Sequence, residues 1–157
     1  MNDITTISKT RKAHPRIKLL LDSQYKEVNK RLPIGVRLRL TSVYRTHAEQ
    51  DILFNQKPKV SNANGGQSIH NYGLAFDICI LLDENGDGKF EKAVWSGRYF
   101  DLVVEYFKSK GWEWGGNWKF KDTPHFQMTF GKKWQDLKAL IDSGKYIEDN
   151  GIKYPLL

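Results

Sequence analysis

Ser68-Ile69-His70-Asn71-Tyr72-Gly73-Leu74-Ala75-Phe76-Asp77 is the stretch on which the reading of this chain turns. Ala75 to Leu82 is short, apolar and bounded by polar loops, as a buried strand is. Asp77 is the one charge inside it. A buried carboxylate without a partner is costly, so Asp77 calls for a cation. Two kinds of cation satisfy it: a metal ion shared with His70, seven positions earlier, or an arginine. The stretch by itself leaves both open.

Outward from this strand, the chain alternates helical and extended patterns. Residues 1–13 read as a loose lead-in. Ile17, Leu20, Leu21, Val28 and Leu32 recur at helical spacing, which predicts a helix from about Pro15 to Arg31, ended by Pro33 and Gly35. Val36 to Thr41 alternates as a strand with Arg37 and Arg39 on a wet face. Thr46 followed by Glu49 is a capping-box pattern, so a helix should start there and run to about Gln56. Arg45 is thereby left in a strand-to-helix loop, a position that often carries function. Residues 57–67 form a loop rich in Pro, Asn and Gly.

Beyond the central strand, a helix is expected over about 97–110 with Gly111 at its C-cap. A short strand at 112–114, an aromatic loop to Pro124 and a strand at 125–130 follow. A last helix at about 133–143 and a hairpin turning at Asn150-Gly151 within 145–157 complete the chain. The 157 residues suit one domain, 1–157, with the motif-bearing core at about 36–130.

Composition narrows the function. Lys and Arg number 25 against 18 Asp and Glu, a formal charge of +7. An anionic environment is implied, but the basic residues are scattered, so no nucleic-acid patch is expected. No apolar run is long enough to span a bilayer, and Met1 to Lys12 lacks the apolar segment of a signal peptide. The single Cys79 excludes an internal disulfide framework and reads as a packed thiol. Nothing demands an oligomer, and a monomer is expected.

The chemistry lies in a few polar residues. Of four His, His14 and His47 read as surface residues without a role. His70 and His125 stand at the edges of apolar strands. If His70, Asp77 and His125 meet, they form a two-His, one-carboxylate set that leaves one tetrahedral position open, the pattern of a catalytic zinc site. Asp122, three residues before His125, could then serve as a base beside the metal, and Arg45 could hold a carboxylate or the charge of a tetrahedral intermediate. Asp83-Glu84-Asn85-Gly86-Asp87-Gly88 resembles the start of a calcium loop. Its twelfth position is Val94 rather than an acid, and it follows a strand, so a polar turn is the plainer reading and calcium at 83–91 the alternative.

Taken in order, Ser42-Val43-Tyr44-Arg45 with Glu49-Gln50, then Ser68-x-His70-x-x-Gly73-x-Ala75-x-Asp77, then Gly111 to Gly116, then Asp122-x-Pro124-His125-Phe126 resemble the D-alanyl-D-alanine-peptidase-like zinc peptidases. Within that group the closest resemblance is to the L-alanyl-D-glutamate endopeptidases of phage endolysins and bacterial wall enzymes. The resemblance implies a small α+β domain of the Hedgehog/D,D-peptidase type, with helices around an antiparallel sheet that carries the zinc site. It implies zinc on His70, Asp77 and His125, Asp122 as general base and Arg45 as a substrate or transition-state contact. Ser68 belongs to the motif as a substrate-side or loop-fixing residue.

The expected substrate is the stem peptide of peptidoglycan, cut between L-Ala and D-Glu, with anionic wall polymers as further partners. The positive charge would retain the protein at a phosphate-rich wall. Without a signal peptide, the chain would be made in the cytoplasm and reach the wall on release, unless an export signal has been removed. Two rivals remain: a D,D-carboxypeptidase or dipeptidase of the same fold, and a non-catalytic basic module that binds the wall or nucleic acid, its aromatic run from Trp112 to Phe120 stacking on sugars or bases.

Overall fold

The computed structural model describes residues 2–157. Its elements in order are α1 (Ile4–Thr10), α2 (Lys18–Asn29), β1 (Val36–Ser42), α3 (His47–Asn55), β2 (Ala75–Leu82), β3 (Lys92–Val94), α4 (Arg98–Ser109), β4 (Glu113–Trp114), β5 (His125–Gln127), α5 (Trp134–Asp142), β6 (Tyr146–Asp149) and β7 (Ile152–Pro155). A 3₁₀ turn over Ile69–Tyr72 leads into β2. The architecture is the expected small α+β fold.

The fully antiparallel main sheet is built around β2. β1 lies along one side of it; β5 and β3 share the other side, and β4 adds beyond β5. Phe76, Ile78 and Ile80 face a core of Phe107, Trp112, Phe126 and the apolar faces of α2 and α4. Phe76 stacks on Phe126 and meets Phe107 and Trp112 edge-on. Such contacts add to the area that large aromatic side chains bury. Cys79 is buried on the opposite side of β2, the packed thiol the sequence suggested. Among the described residues no helix is long and apolar enough to cross a membrane.

The N-terminal residues depart from expectation. They are not a loose lead-in, because α1 closes the outer edge of β1. The Leu40 N–H donates to Thr6 Oγ1 at 2.9 Å, and the Leu38 N–H donates to Asn29 Oδ1 of α2 at 2.9 Å. Side chains thus satisfy edge donors that would otherwise invite another strand. Arg39, expected on a wet face, forks onto both oxygens of Asp3 at 2.9 Å. Asp3 in turn caps α1 through the Thr6 N–H, and the Asp3 N–H donates to the Tyr25 hydroxyl at 2.6 Å. Seven helical residues would not persist alone, and these tertiary bonds hold them.

His14 is a second correction. It is buried rather than a surface residue, with 3% of its area exposed. Its Nε2 lies 2.7 Å from the Pro155 carbonyl and so must donate, while Nδ1 accepts from the Arg16 N–H. Both nitrogens are satisfied by the neutral ring. The β6–β7 hairpin, turning at Asn150-Gly151 as expected, supplies that carbonyl. It also supplies Tyr154, whose hydroxyl donates to the Lys12 carbonyl at 2.6 Å. Gly73 sits beneath both. At its φ of +70°, a Cβ would come within 2.6 Å of the His14 backbone nitrogen and 2.8 Å of the Tyr154 ring. The left-handed turn and the close backbone approach both require glycine there.

Two stability measurements follow. Thr6→Val keeps the volume but removes the acceptor of a buried N–H, and should lower the unfolding free energy by about 1–3 kcal/mol in urea titration. Burial holds the His14 pKa below its ordinary value, with nearby Arg16 adding to this against the Pro155 hydrogen bond. The unfolded chain therefore binds this proton first. Stability is full above about pH 6.5 and falls as pH drops below it toward the depressed native value. His14→Gln should flatten that part of the stability–pH curve.

Candidate metal centre and cleft

The sheet register sets the centre. Asp77 in β2 lies directly opposite His125 in β5, and on its other side opposite Ser42 at the end of β1, where a bulge between Leu40 and Ser42 shifts the pairing. His70 comes from the 3₁₀ turn just before β2. Ser68 caps that turn, its hydroxyl accepting from the His70 N–H at 3.3 Å. Asn71 ties the turn down: its Oδ1 accepts from the Gly66 and Ser68 N–H groups, and its Nδ2 donates to the Arg45 carbonyl at 2.9 Å. The Arg45 N–H donates back to the His70 carbonyl at 3.0 Å. The loop of Arg45 and the turn of His70 are therefore one hydrogen-bonded unit.

Three ligand-type atoms converge. Asp77 Oδ1 is 3.3 Å from His70 Nε2 and 3.2 Å from His125 Nδ1, and one donor atom from each residue falls within 4.8 Å of the others. Among the described residues no other cluster of three or more His, Cys, Asp or Glu side chains meets that spacing. The far nitrogens are already engaged. His70 Nδ1 lies 2.8 Å from the Val43 carbonyl, which can only accept, so a neutral His70 carries its proton there and turns a lone pair toward Asp77. His125 Nε2 lies 2.9 Å from Gln127 Oε1. Lone pairs facing a carboxylate at this distance repel unless a cation lies between them. The donor set suits a divalent ion held by two neutral imidazoles and one carboxylate.

Asp77 also has the arginine that the sequence left as an alternative. Arg45 Nη2 stands 3.7 Å from Asp77 Oδ2. The two cation readings are thus reconciled, with one oxygen toward Arg45 and the other toward the imidazoles. Burial alone would raise the Asp77 carboxyl, but His70 and His125, when they carry protons toward it, outweigh burial and hold it far below the carboxylate range. The guanidinium is held by Gln50 Oε1 at 2.8 Å and Ser42 Oγ at 2.9 Å. Gln50 is fully buried and also reaches the 57–67 loop through the Ala63 carbonyl.

A cleft of about 810 Å³ opens over this centre. Arg45, Lys59 and Lys121 line it, together with Ser68, Trp118 and Phe120. Asp122 is in the same wall, its Oδ2 3.9 Å from His125 Nδ1. Partial burial raises its carboxyl above the ordinary range and the Asp77 charge adds to this, against the pull of His125. Its backbone is pinned by an N–H bond to the Gly115 carbonyl at 2.9 Å. The structure thus gathers Arg45, Ser68, His70, Asp77, Asp122 and His125 at one cleft.

Residues 61–128 match the family model described as D-alanyl-D-alanine carboxypeptidase. That stretch of the chain is similar to that peptidase family. The matched stretch contains His70, Asp77, Asp122 and His125, with Arg45 upstream of it. The chain is 41% identical over 108 residues to the peptidoglycan L-alanyl-D-glutamate endopeptidase CwlK of Bacillus subtilis strain 168, covering 60% of this chain and 62% of CwlK. In fold it is similar to the L-Ala D-Glu endopeptidase ChiX of Serratia marcescens, with a TM-score of 0.53 and 23% identity over 81% of this chain and 88% of that one.

Sequence reasoning passed over the amides. Gln50 stands in a motif that gives it no task, and nothing in the sequence singles out Asn71 or Gln127. Their neighbours across the site give them their roles, and no spacing rule reports that. The Asp83–Glu91 run behaves as the polar turn: Asp83 accepts from the Gly86, Asp87 and Gly88 N–H groups with both oxygens.

Replacing His70 or Asp77 by Ala should abolish uptake of one divalent ion per chain, read by elemental analysis after gel filtration. Loss of the ion from the unaltered protein should lower its melting temperature.

Proposed function

We propose that this protein is a zinc peptidase of the bacterial wall that cleaves the peptidoglycan stem peptide between L-Ala and D-Glu. The observation that carries this reading is the convergence of His70 Nε2, Asp77 Oδ1 and His125 Nδ1 at the floor of a cleft that also holds Asp122 and Arg45. Ligand atoms about 2.0 Å from a tetrahedral zinc stand roughly 3.3 Å apart. The two His–Asp separations, 3.3 and 3.2 Å, agree with that spacing. The relation to CwlK supports the choice of bond.

Zinc bound there would polarise the scissile carbonyl and make water acidic enough to react near neutral pH. The remaining steps fall to the chain. Asp122, beside His125 and open to the cleft, takes the proton of the attacking water and returns it to the departing amine. Arg45, fixed by Gln50 and Ser42, presents its charge to the substrate side of Asp77 and stabilises negative charge that grows on the carbonyl oxygen. Ser68 shapes the turn that delivers His70 and contributes to the cleft wall.

The cations of the cleft, Arg45, Lys59 and Lys121, suit a peptide that carries free carboxylates. The formal charge of +7 would hold the protein at an anionic wall, acting there as a monomer. A D,D-carboxypeptidase remains the second reading, because the matching family model carries that description.

Digestion of purified peptidoglycan with mass analysis of the fragments decides between them. Stem peptides with a new amino-terminal Glu are expected. Loss of one terminal Ala with the Ala–Glu bond intact would establish the carboxypeptidase instead. Asp122→Ala should retain its zinc and lose at least about 10²-fold in kcat. Near-normal turnover in that variant would remove Asp122 as the base.

A further inference from the structure

We propose that Glu113 and Gln127 are positioning residues that dictate which nitrogen of His125 faces the metal. This inference rests on the metal reading of the site and adds to it the device that selects the His125 tautomer. Glu113 in β4 and Gln127 in β5 are direct cross-strand partners. Gln127 Nε2 lies 3.1 Å from Glu113 Oε2. A carboxylate can only accept, so the amide nitrogen of Gln127 must face Glu113. Its oxygen must then face His125, and it does, at 2.9 Å from Nε2. An amide oxygen also only accepts, so Nε2 carries the proton. A neutral imidazole has one N–H, and Nδ1 is left with its lone pair toward Asp77 and the ion. For the neutral ring that a metal ion requires, the order of donors and acceptors from Glu113 to Nδ1 admits one arrangement.

The same carboxylate reaches the cleft wall. Trp118 Nε1 donates to Glu113 Oε2 at 2.9 Å, and the Trp118 ring packs on the His125 ring with centroids 5.2 Å apart. Trp118 lines the cleft. Glu113 therefore holds an imidazole through Gln127 and the indole stacked on that imidazole directly. The two rings are fixed in mutual register from one point. Among the described residues no other side chain does this for His125, whereas a backbone carbonyl orients His70.

The test compares wild type, Gln127→Leu, Gln127→Glu and Glu113→Ala. Zinc affinity is measured by competition with a chromophoric chelator, and nitrogen NMR of labelled imidazoles follows the His125 Nε2 proton. Melting of the metal-free proteins checks the fold. Glu113 is exposed, so its variant should fold even if Gln127→Leu does not. Gln127→Leu should bind zinc about 10–100-fold more weakly and lose the protected Nε2 proton. Gln127→Glu still accepts from Nε2 and should retain both. Glu113→Ala should weaken zinc binding less than Gln127→Leu and broaden the Nε2 signal as the amide becomes free to turn.

Wild-type affinity together with a protected Nε2 proton in Gln127→Leu would overturn the proposal. So would equal losses in Gln127→Leu and Gln127→Glu, since shape rather than acceptance would then matter. If wild type takes up no zinc, the metal reading itself falls. The Nε2 proton in the metal-free variants still decides whether Glu113 and Gln127 orient the ring.

Discussion

One part-buried carboxylate governs this structure. Asp77 occupies the central strand of the sheet, with apolar residues before and after it, and removal of a charge from water costs several kcal/mol unless partners replace the solvent. Every element near it supplies such a partner or holds one in place. β5 brings His125 directly opposite, the turn before β2 brings His70, and the end of β1 leads to Arg45. Asp77 therefore divides its two oxygens between a fixed guanidinium and a pair of imidazoles. The pair of imidazoles offers lone pairs rather than protons in its neutral form. In that form the local chemistry calls for a further cation, a proton or a metal ion, before any reaction is considered.

Rigidity around that carboxylate is built from both sides of the sheet. On one side, His70 and Arg45 are locked together by backbone bonds and by Asn71. On the other, the chain from Gly111 to Pro124 closes over β5 and fixes Asp122 through the Gly115 carbonyl. Behind the turn, Gly73 allows His14 and Tyr154 to press against the backbone, so the C-terminal hairpin buttresses the element that carries His70. The site is remote from the hairpin in sequence but shares its packing. Catalytic and binding groups held on strands and on tightly bonded turns keep their geometry better than groups on free loops.

What could be read in the sequence follows from how local each cause is. β2, the Thr46 capping box, α4 with its Gly111 stop and the Asn150-Gly151 turn were legible because neighbouring residues determine them. So was the order Arg45, His70, Asp77, Asp122, His125, because the resemblance fixes an order even when single motifs are weak. α1 was not legible: its seven residues have no apolar stripe, and Arg39, Tyr25 and the edge of β1 hold it. His14 was misjudged because its partner is the Pro155 carbonyl, 141 positions away. β5 ends at Gln127 rather than at Phe130, since Phe130 and Gly131 take positive φ values of 53° and 78° and turn the chain out of the sheet.

The two imidazoles show two ways of specifying the same chemistry. His70 is oriented by the Val43 carbonyl, a group that any side chain at position 43 leaves in place. Its tautomer is a property of the fold. His125 is oriented by a side-chain amide, and an amide can turn over to present a donor where an acceptor stood. That ambiguity has to be resolved elsewhere, and a carboxylate resolves it because it accepts and cannot donate. The cost of using a side chain is thus a second residue, and the benefit is reach: the same carboxylate also binds the indole that walls the cleft. A backbone contact could orient the ring but could not join it to the surface that meets the substrate.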